Sequence, residues 1–260
     1  MTGLFIAVLL GQNLWAKTYG GPMTEEARSI TQTTDGGYVV AGLTYSFGAG
    51  YYDCFVLKLN PDGSLAWART YGGTSSDKAF SITRTTDGGY AVAGAIDRVS
   101  GSDFLILKLN PDGSLAWART YGETNDSELA WSITQTADGG YAVTGRRGGD
   151  CLILKLNPDG SLAWARTYGS TGWDDARSII QTSDGGYAVA GATDGFLSVL
   201  KLNPDGSFDW GRTYRGTASD WPNSIIQTTD GGYVVAGVTY SFGAGYYDCF
   251  VLKLNPDGSL

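Results

Sequence analysis

The chain carries the same two motifs five times. Trp-x-(Lys/Arg)-Thr-Tyr begins at Trp15, Trp67, Trp117, Trp164 and Trp210, and each copy is followed by Asp-Gly-Gly-Tyr, beginning at Asp35, Asp87, Asp138, Asp184 and Asp230. Successive Asp-Gly-Gly turns lie 52, 51, 46 and 46 residues apart, a period that belongs to a propeller blade and not to a helical array. One copy shows why. Ser81–Thr86, Tyr90–Gly94, Phe104–Leu109 and Leu115–Tyr121 are short segments rich in β-branched and aromatic residues, separated by turn signals. Asp87-Gly88-Gly89 suits a tight hairpin with positive φ, and Asn110-Pro111-Asp112-Gly113 a turn opened by Pro and closed by Gly. The predicted fold is all-β: a five-bladed β-propeller of four-stranded antiparallel blades.

The two ends of the array extend this reading. The last copy stops at Leu260, before its Trp segment, while an orphan Trp segment, Leu14–Tyr19, precedes the first copy. The ring is therefore expected to close by that N-terminal strand joining the last blade, which would leave no open edge. A piece of a longer array is the competing reading, since Asp35–Leu65 and Asp230–Leu260 are identical at 30 of 31 positions. Residues 13–260 read as a single domain, without a linker. Residues 1–12 hold the apolar run Leu4–Gly11, which has no basic residue before it and reads either as a signal remnant or as an extra strand. The run is too short for a membrane span, which needs about 20 residues.

Composition removes several function classes. With no His among 260 residues, triads built on imidazole and the commonest zinc ligand are excluded. A net charge of −8 argues against a nucleic-acid partner. Cys54, Cys151 and Cys249 share one repeat register in different blades, too far apart to bridge, and read as small buried hydrophobes. The regular cations Lys17, Arg69, Arg119, Arg166 and Arg212 alternate with Trp and Tyr and read as stacked structural groups.

Function is sought where the copies differ. In a four-stranded blade the two repeated turns share one rim, leaving the other to the loops between strands 2 and 3 and between blades. Tyr45, Phe47, Tyr51 and Tyr52, repeated as Tyr240, Phe242, Tyr246 and Tyr247, have the Tyr/Ser/Gly character of binding loops. Trp131, Trp173 and Trp221 are read as interrupting the loops between blades where other copies have small or polar residues, and are candidate ligand platforms. A carboxylate recurs four residues before the Ser of each innermost strand: Glu25, Asp77, Glu128, Asp174 and Asp220. These read mainly as caps; the functional alternative is a ring at the channel mouth, holding a cation such as calcium or doing acid/base work.

The combination Trp-x-(Lys/Arg)-Thr-Tyr-Gly, Asp-Gly-Gly-Tyr and Leu-Lys-Leu-Asn-Pro-Asp-Gly resembles the repeat propellers of secreted or surface proteins of bacteria and archaea. Its turn-then-Trp segment is similar to that of quinoprotein-type and outer-membrane assembly propellers. The resemblance implies a secreted or cell-surface propeller, and with the aromatic, unequal loops of the variable rim the chain reads as a non-catalytic binding module for a protein or glycan. It implies no resident cofactor, because the calcium and quinone constellation of true quinoprotein dehydrogenases is not recognisable. The alternatives are a carboxylate-dependent, glycan-active enzyme of the five-bladed glycosidase type and a structural component of a surface array.

Overall fold

A computed structural model describes residues 14–122 and 126–260; the segment expected to be a signal remnant or extra strand lies outside them. The described residues form five antiparallel sheets in chain order. Blade 1 comprises β1 (Glu25–Gln32), β2 (Tyr38–Thr44), β3 (Asp53–Leu59) and β4 (Leu65–Tyr71). Blade 2 comprises β5 (Asp77–Arg84), β6 (Tyr90–Asp97), β7 (Ser102–Leu109) and β8 (Leu115–Tyr121). Blade 3 comprises β9 (Glu128–Gln135), β10 (Tyr141–Arg147), β11 (Asp150–Leu156) and β12 (Leu162–Tyr168). Blade 4 comprises β13 (Asp174–Gln181), β14 (Tyr187–Thr193), β15 (Phe196–Leu202) and β16 (Phe208–Tyr214). Blade 5 has three strands, β17 (Asp220–Gln227), β18 (Tyr233–Thr239) and β19 (Asp248–Leu254). The innermost strands begin four residues earlier than the sequence suggests. A register shift between Ala79 and Ser81, repeated in blades 1, 4 and 5 between Ala27 and Ser29, Ala176 and Ser178, and Pro222 and Ser224, lets the strand run on through the less β-like residues to the carboxylate.

Each repeated motif has a mechanical role. In the first turn, Asp35 Oδ1 accepts from Gly37 N at 3.0 Å and from Lys58 Nζ at 3.0 Å, and Gly36 takes the φ of +79° that a side chain would resist. Lys58 is buried and also donates to Thr33 Oγ1 and to the Leu59 carbonyl, so one ammonium ties both hairpins of the blade together. The Asn-Pro-Asp-Gly segment is a plain turn: Asp62 Oδ1 is occupied by Ser64 N and Oγ, at 2.9 and 2.6 Å.

Between blades, the Trp motif of one meets the turns of the next. The Trp117 ring lies edge-on to Tyr141 at 5.8 Å, Tyr121 Oη donates to the Gly160 carbonyl, and Arg119 lies 5.8 Å from the Trp117 ring. The innermost strands are stitched by Ser hydroxyls, which accept from Ile82, Ile133, Ile179 and Ile225 amides of the following blade. The core is thus four apolar layers between successive blades.

The seam differs from the expected closure. Leu14–Tyr19 does occupy the position of a preceding outer strand against blade 1, with Trp15 Nε1 on the Pro61 carbonyl at 3.0 Å and Tyr19 Oη on Gly63 at 2.5 Å. It forms no strand, however, and blade 5 ends at β19 as a three-stranded sheet. The N-terminal segment contacts blade 1, and the faces of β1 and β19 both remain largely exposed. Cys54 and Cys151 are buried as expected, whereas Cys249 is exposed on that same face.

The Lys clamp can be tested directly. Burial alone would raise Asp87, but bonds from Lys108 and Thr85 hold it down to about 2. A depressed carboxylate contributes stability that is present above its unfolded pKa and is lost as pH falls through the folded value. Lys108→Met is expected to lower unfolding free energy by about 1.5–3 kcal/mol at neutral pH and to flatten part of the fall in stability on acidification from pH 4 to pH 2, as read by denaturant melts. An unchanged acid limb would contradict this role.

Candidate functional site

The antiparallel strands place the Asp-Gly-Gly and Asn-Pro-Asp-Gly turns on one rim and the unequal loops on the other. On the loop rim, the amide opening each inner strand bonds back to the strand 2–3 loop of the preceding blade: Asp77 N to Tyr52, Asp174 N to Gly149 and Asp220 N to Gly195, at 2.6, 2.7 and 2.9 Å. The five recurring carboxylates stand at these starts, and each is engaged locally. Glu25 accepts from Gly21 N, Asp77 from Gly73 N, Asp174 from Ser170 N and Asp220 from Ser241 Oγ, while Arg147 Nε reaches Glu128 Oε1 at 3.1 Å. Four of them are buried. Among the described residues no group of three His, Cys, Asp or Glu side chains is arranged to hold a metal ion. Glu25, Asp174 and Asp220 use both oxygens locally, whereas Asp77 accepts through Oδ2 alone and its buried Oδ1 has no hydrogen-bond partner.

A second carboxylate joins some caps. Asp103 of β7 faces Glu128 across Gly122, and Asp53 of β3 faces Asp77 across Gly72; a Cβ on either glycine would collide with both acids. This close approach explains the Gly that follows the Thr-Tyr of the motif. Burial, then the charges of Asp103 and Asp126, push Glu128 up to about 7 against the pull of Arg98. Asp77 is raised by burial and by Asp53 and Asp97.

The candidate aromatics fall into separate groups. On blade 1, Tyr45 and Tyr52 lie 5.3 Å apart, Tyr51 is exposed, and Phe47 turns toward the open face of that blade, beside Thr18, Glu25 and Phe55. On blade 5, Tyr240 packs on Tyr247 at 4.0 Å and edge-on to Trp221 at 6.0 Å, with Phe242 and Tyr246 exposed. Trp131 is held between Phe80 at 4.6 Å and the Arg177 guanidinium at 4.7 Å, and its buried Nε1 has no partner. It belongs to a stack along the inner strands and is no free platform.

Trp173 and Trp221 are brought together. They are 68% and 38% exposed and share a cavity of about 250 Å³ with Arg146, Asp175, Arg177 and Pro222. Arg146 lies 5.5 Å from the Trp173 ring, and its buried Nε has no hydrogen-bond partner; Asp175 Oδ1 is likewise unpartnered, although Oδ2 holds Arg177 Nε at 2.6 Å. A second cavity of about 400 Å³ continues past Trp221 to Asn223 and Tyr247. Arg146, Asp175 and Arg177 were not among the sequence candidates. The signal for Arg146 was present: it replaces Leu43, Ala95, Ala192 and Val238 of the other copies, a cation at an otherwise apolar position.

Comparisons with known proteins agree on the fold. Residues 33–65, 85–115 and 228–260 match the family described as a β-propeller domain of unknown function, DUF5122. No curated protein matches the chain. A solved protein of unknown function from Bacteroides caccae superposes with a TM-score of 0.54 at 16% identity, over 85% of this chain and 70% of that one. The Pan2 WD40 domain of Neurospora crassa gives 0.53 at 14% identity, over 91% and 65%. An exo-β-1,3-galactanase from Phanerochaete chrysosporium, solved with galactose, gives 0.51 at 12% identity, over 87% and 60%. At these identities the likeness is to a repeat β-propeller and concerns fold alone.

Glu128 makes the cap account measurable. Its folded pKa lies above the ordinary carboxylate value, so the native state keeps a proton that the unfolded chain releases, and stability falls as pH rises from about 4.5 to about 7. Glu128→Gln should reduce that fall, as measured by unfolding free energies at pH 5 and pH 8. Equal slopes in the two proteins would show that Glu128 ionises normally.

Proposed function

We propose that the protein is a binding module of the secreted or cell-surface type that holds a glycan on the loop rim of blades 3 to 5. One observation carries this reading: two exposed tryptophans flank a cavity in which Arg146 and Asp175 present buried polar atoms without partners. Apolar faces of sugar rings stack on indoles, and ring hydroxyls need donors and acceptors placed between them. Arg146 and Asp175 supply both. A buried polar atom left unmatched costs about 1–3 kcal/mol, so a ligand hydroxyl or carboxylate that bonds there gains by relieving it. Concavity favours a glycan over a flat protein partner. The tyrosine loops of blades 1 and 5 are proposed as additional contacts.

The carboxylate-dependent enzyme is the weaker reading. Asp77 and Glu128 are buried and line neither loop-rim cavity, and Asp175 is bound to Arg177. A glycan array run alongside a reducing-sugar release assay separates the two readings: binding without release supports the module, and turnover supports the enzyme. For the glycan so identified, Trp173→Ala and Trp221→Ala should each cost about 1–3 kcal/mol of affinity by calorimetric titration. Their melting behaviour should stay within about 0.5 kcal/mol of the parent. Normal binding by both variants would remove the site.

A further inference from the structure

We infer that the glycan of the loop rim is acidic, and that Arg146 seats a carboxylate of a sugar whose ring lies on the Trp173 indole. This rests on the glycan reading and narrows it to one chemical class. Arg146 is the departure from the repeat that the fold alone explains least. It stands in register with Leu129 and Cys151, at the position where the other blades carry Leu43, Ala95, Ala192 and Val238, each opposite a Cys or an apolar residue of its third strand. A cation placed there loses part of its hydration and needs a counter-charge. The neighbouring acids are committed to other cations: Asp126 and Glu128 to Arg147, at 3.8 and 3.1 Å, and Asp175 to Arg177, at 2.6 Å. Arg146 keeps a buried Nε without a hydrogen-bond partner, and its guanidinium lies 5.5 Å from the Trp173 ring.

The charged groups lining the cavity of about 250 Å³ are therefore two guanidiniums, Arg146 and Arg177, and one carboxylate, Asp175. Asp174, next along the strand, pairs in register with Thr193 on the opposite face of the sheet and accepts from the Ser170 and Asp194 amides. One positive charge is left over in the cavity of a protein whose net charge is −8. Remote acids do little to cancel it, because salt screens exposed charges beyond about 8 Å. A guanidinium stacked on an indole keeps its in-plane N–H groups for a ligand, and a carboxylate is the anion whose two oxygens match that edge. Asp175 Oδ1 sets the second requirement. It is buried and unpartnered, and as an acceptor it needs a donor, which a carboxylate lacks and a sugar hydroxyl supplies. A uronic acid carries both groups on one ring. A neutral sugar leaves the Arg146 charge unanswered, and a densely sulfated one brings anions against Asp175.

The test uses the full 260-residue protein and matched probes. Oligogalacturonate, oligoglucuronate and oligomannuronate are each titrated beside the same oligomer after its carboxylates have been reduced to hydroxymethyl groups. At least one acid should bind about 10- to 100-fold more tightly than its reduced form, the range of a hydrogen-bonded charge. Arg146→Ala, which installs the residue of blades 2 and 4, should erase that preference with parental circular dichroism; Arg146→Gln repeats the measurement if the shorter side chain impairs folding. Trp173→Ala should weaken acid and reduced form alike, which separates ring stacking from recognition of charge. A parent that binds the reduced forms or other neutral glycans at least as tightly as the acids overturns the inference and leaves the glycan site standing. Binding of no glycan at all removes both. An acid preference that survives in the Arg146 variants, or a sulfated neutral glycan that outbinds every uronide, also overturns it.

Discussion

Everything in this fold depends on how one blade meets the next. A four-stranded sheet of this length cannot bury its own faces, and the large exposed apolar surface would be untenable in an isolated blade. The junction solves this with a fixed set of groups: the Trp ring against the next blade's Tyr, the Tyr hydroxyl on a turn carbonyl, and the Ser hydroxyl on an Ile amide. Tyr141, Tyr187 and Tyr233 are among the largest fully buried side chains as a result. Repeat proteins built on nearest-neighbour contacts share this logic.

That dependence also explains which residues recur. Gly72, Gly122 and Gly169 follow Thr-Tyr because two carboxylates pack where a Cβ would be, whereas Arg215 stands in that place after Tyr214; Lys in Leu-Lys-Leu recurs because it bridges to the Asp of Asp-Gly-Gly. Residues committed in this way have little capacity left for a ligand. The loop rim is free of those duties, and there the copies diverge: Trp173 stands where other copies have Ser76 or Ser219, and Trp221 where they have Glu26, Lys78, Leu129 or Asp175. Fold and binding thus use different positions of one repeat.

Blade number, turn roles and the stacked cations were legible because each rests on a local pattern seen five times. Seam geometry was not. Whether Leu14–Tyr19 can reach β19 depends on the angle accumulated over four junctions, a sum of small rotations that no local pattern records. The site was legible in part: Trp173 and Trp221 stood out as departures, but their meeting across a cavity with Arg146 required the loops to be placed in space. Trp131 stood out equally and is instead enclosed by Phe80 and Arg177, since position four of each inner strand faces its counterparts in the neighbouring blades.

The central claim is that recurring residues build the junctions while departures from the repeat build the site. It is tested most directly by returning the departures to what other copies carry: Arg146→Ala, Trp173→Ser and Trp221→Lys in one chain. Measured together, thermal unfolding and glycan-array binding should part company, with the melting temperature kept or raised and the array signal gone. A chain that still binds the same glycans, or that unfolds early, would show that the departures serve the fold and that recognition lies elsewhere.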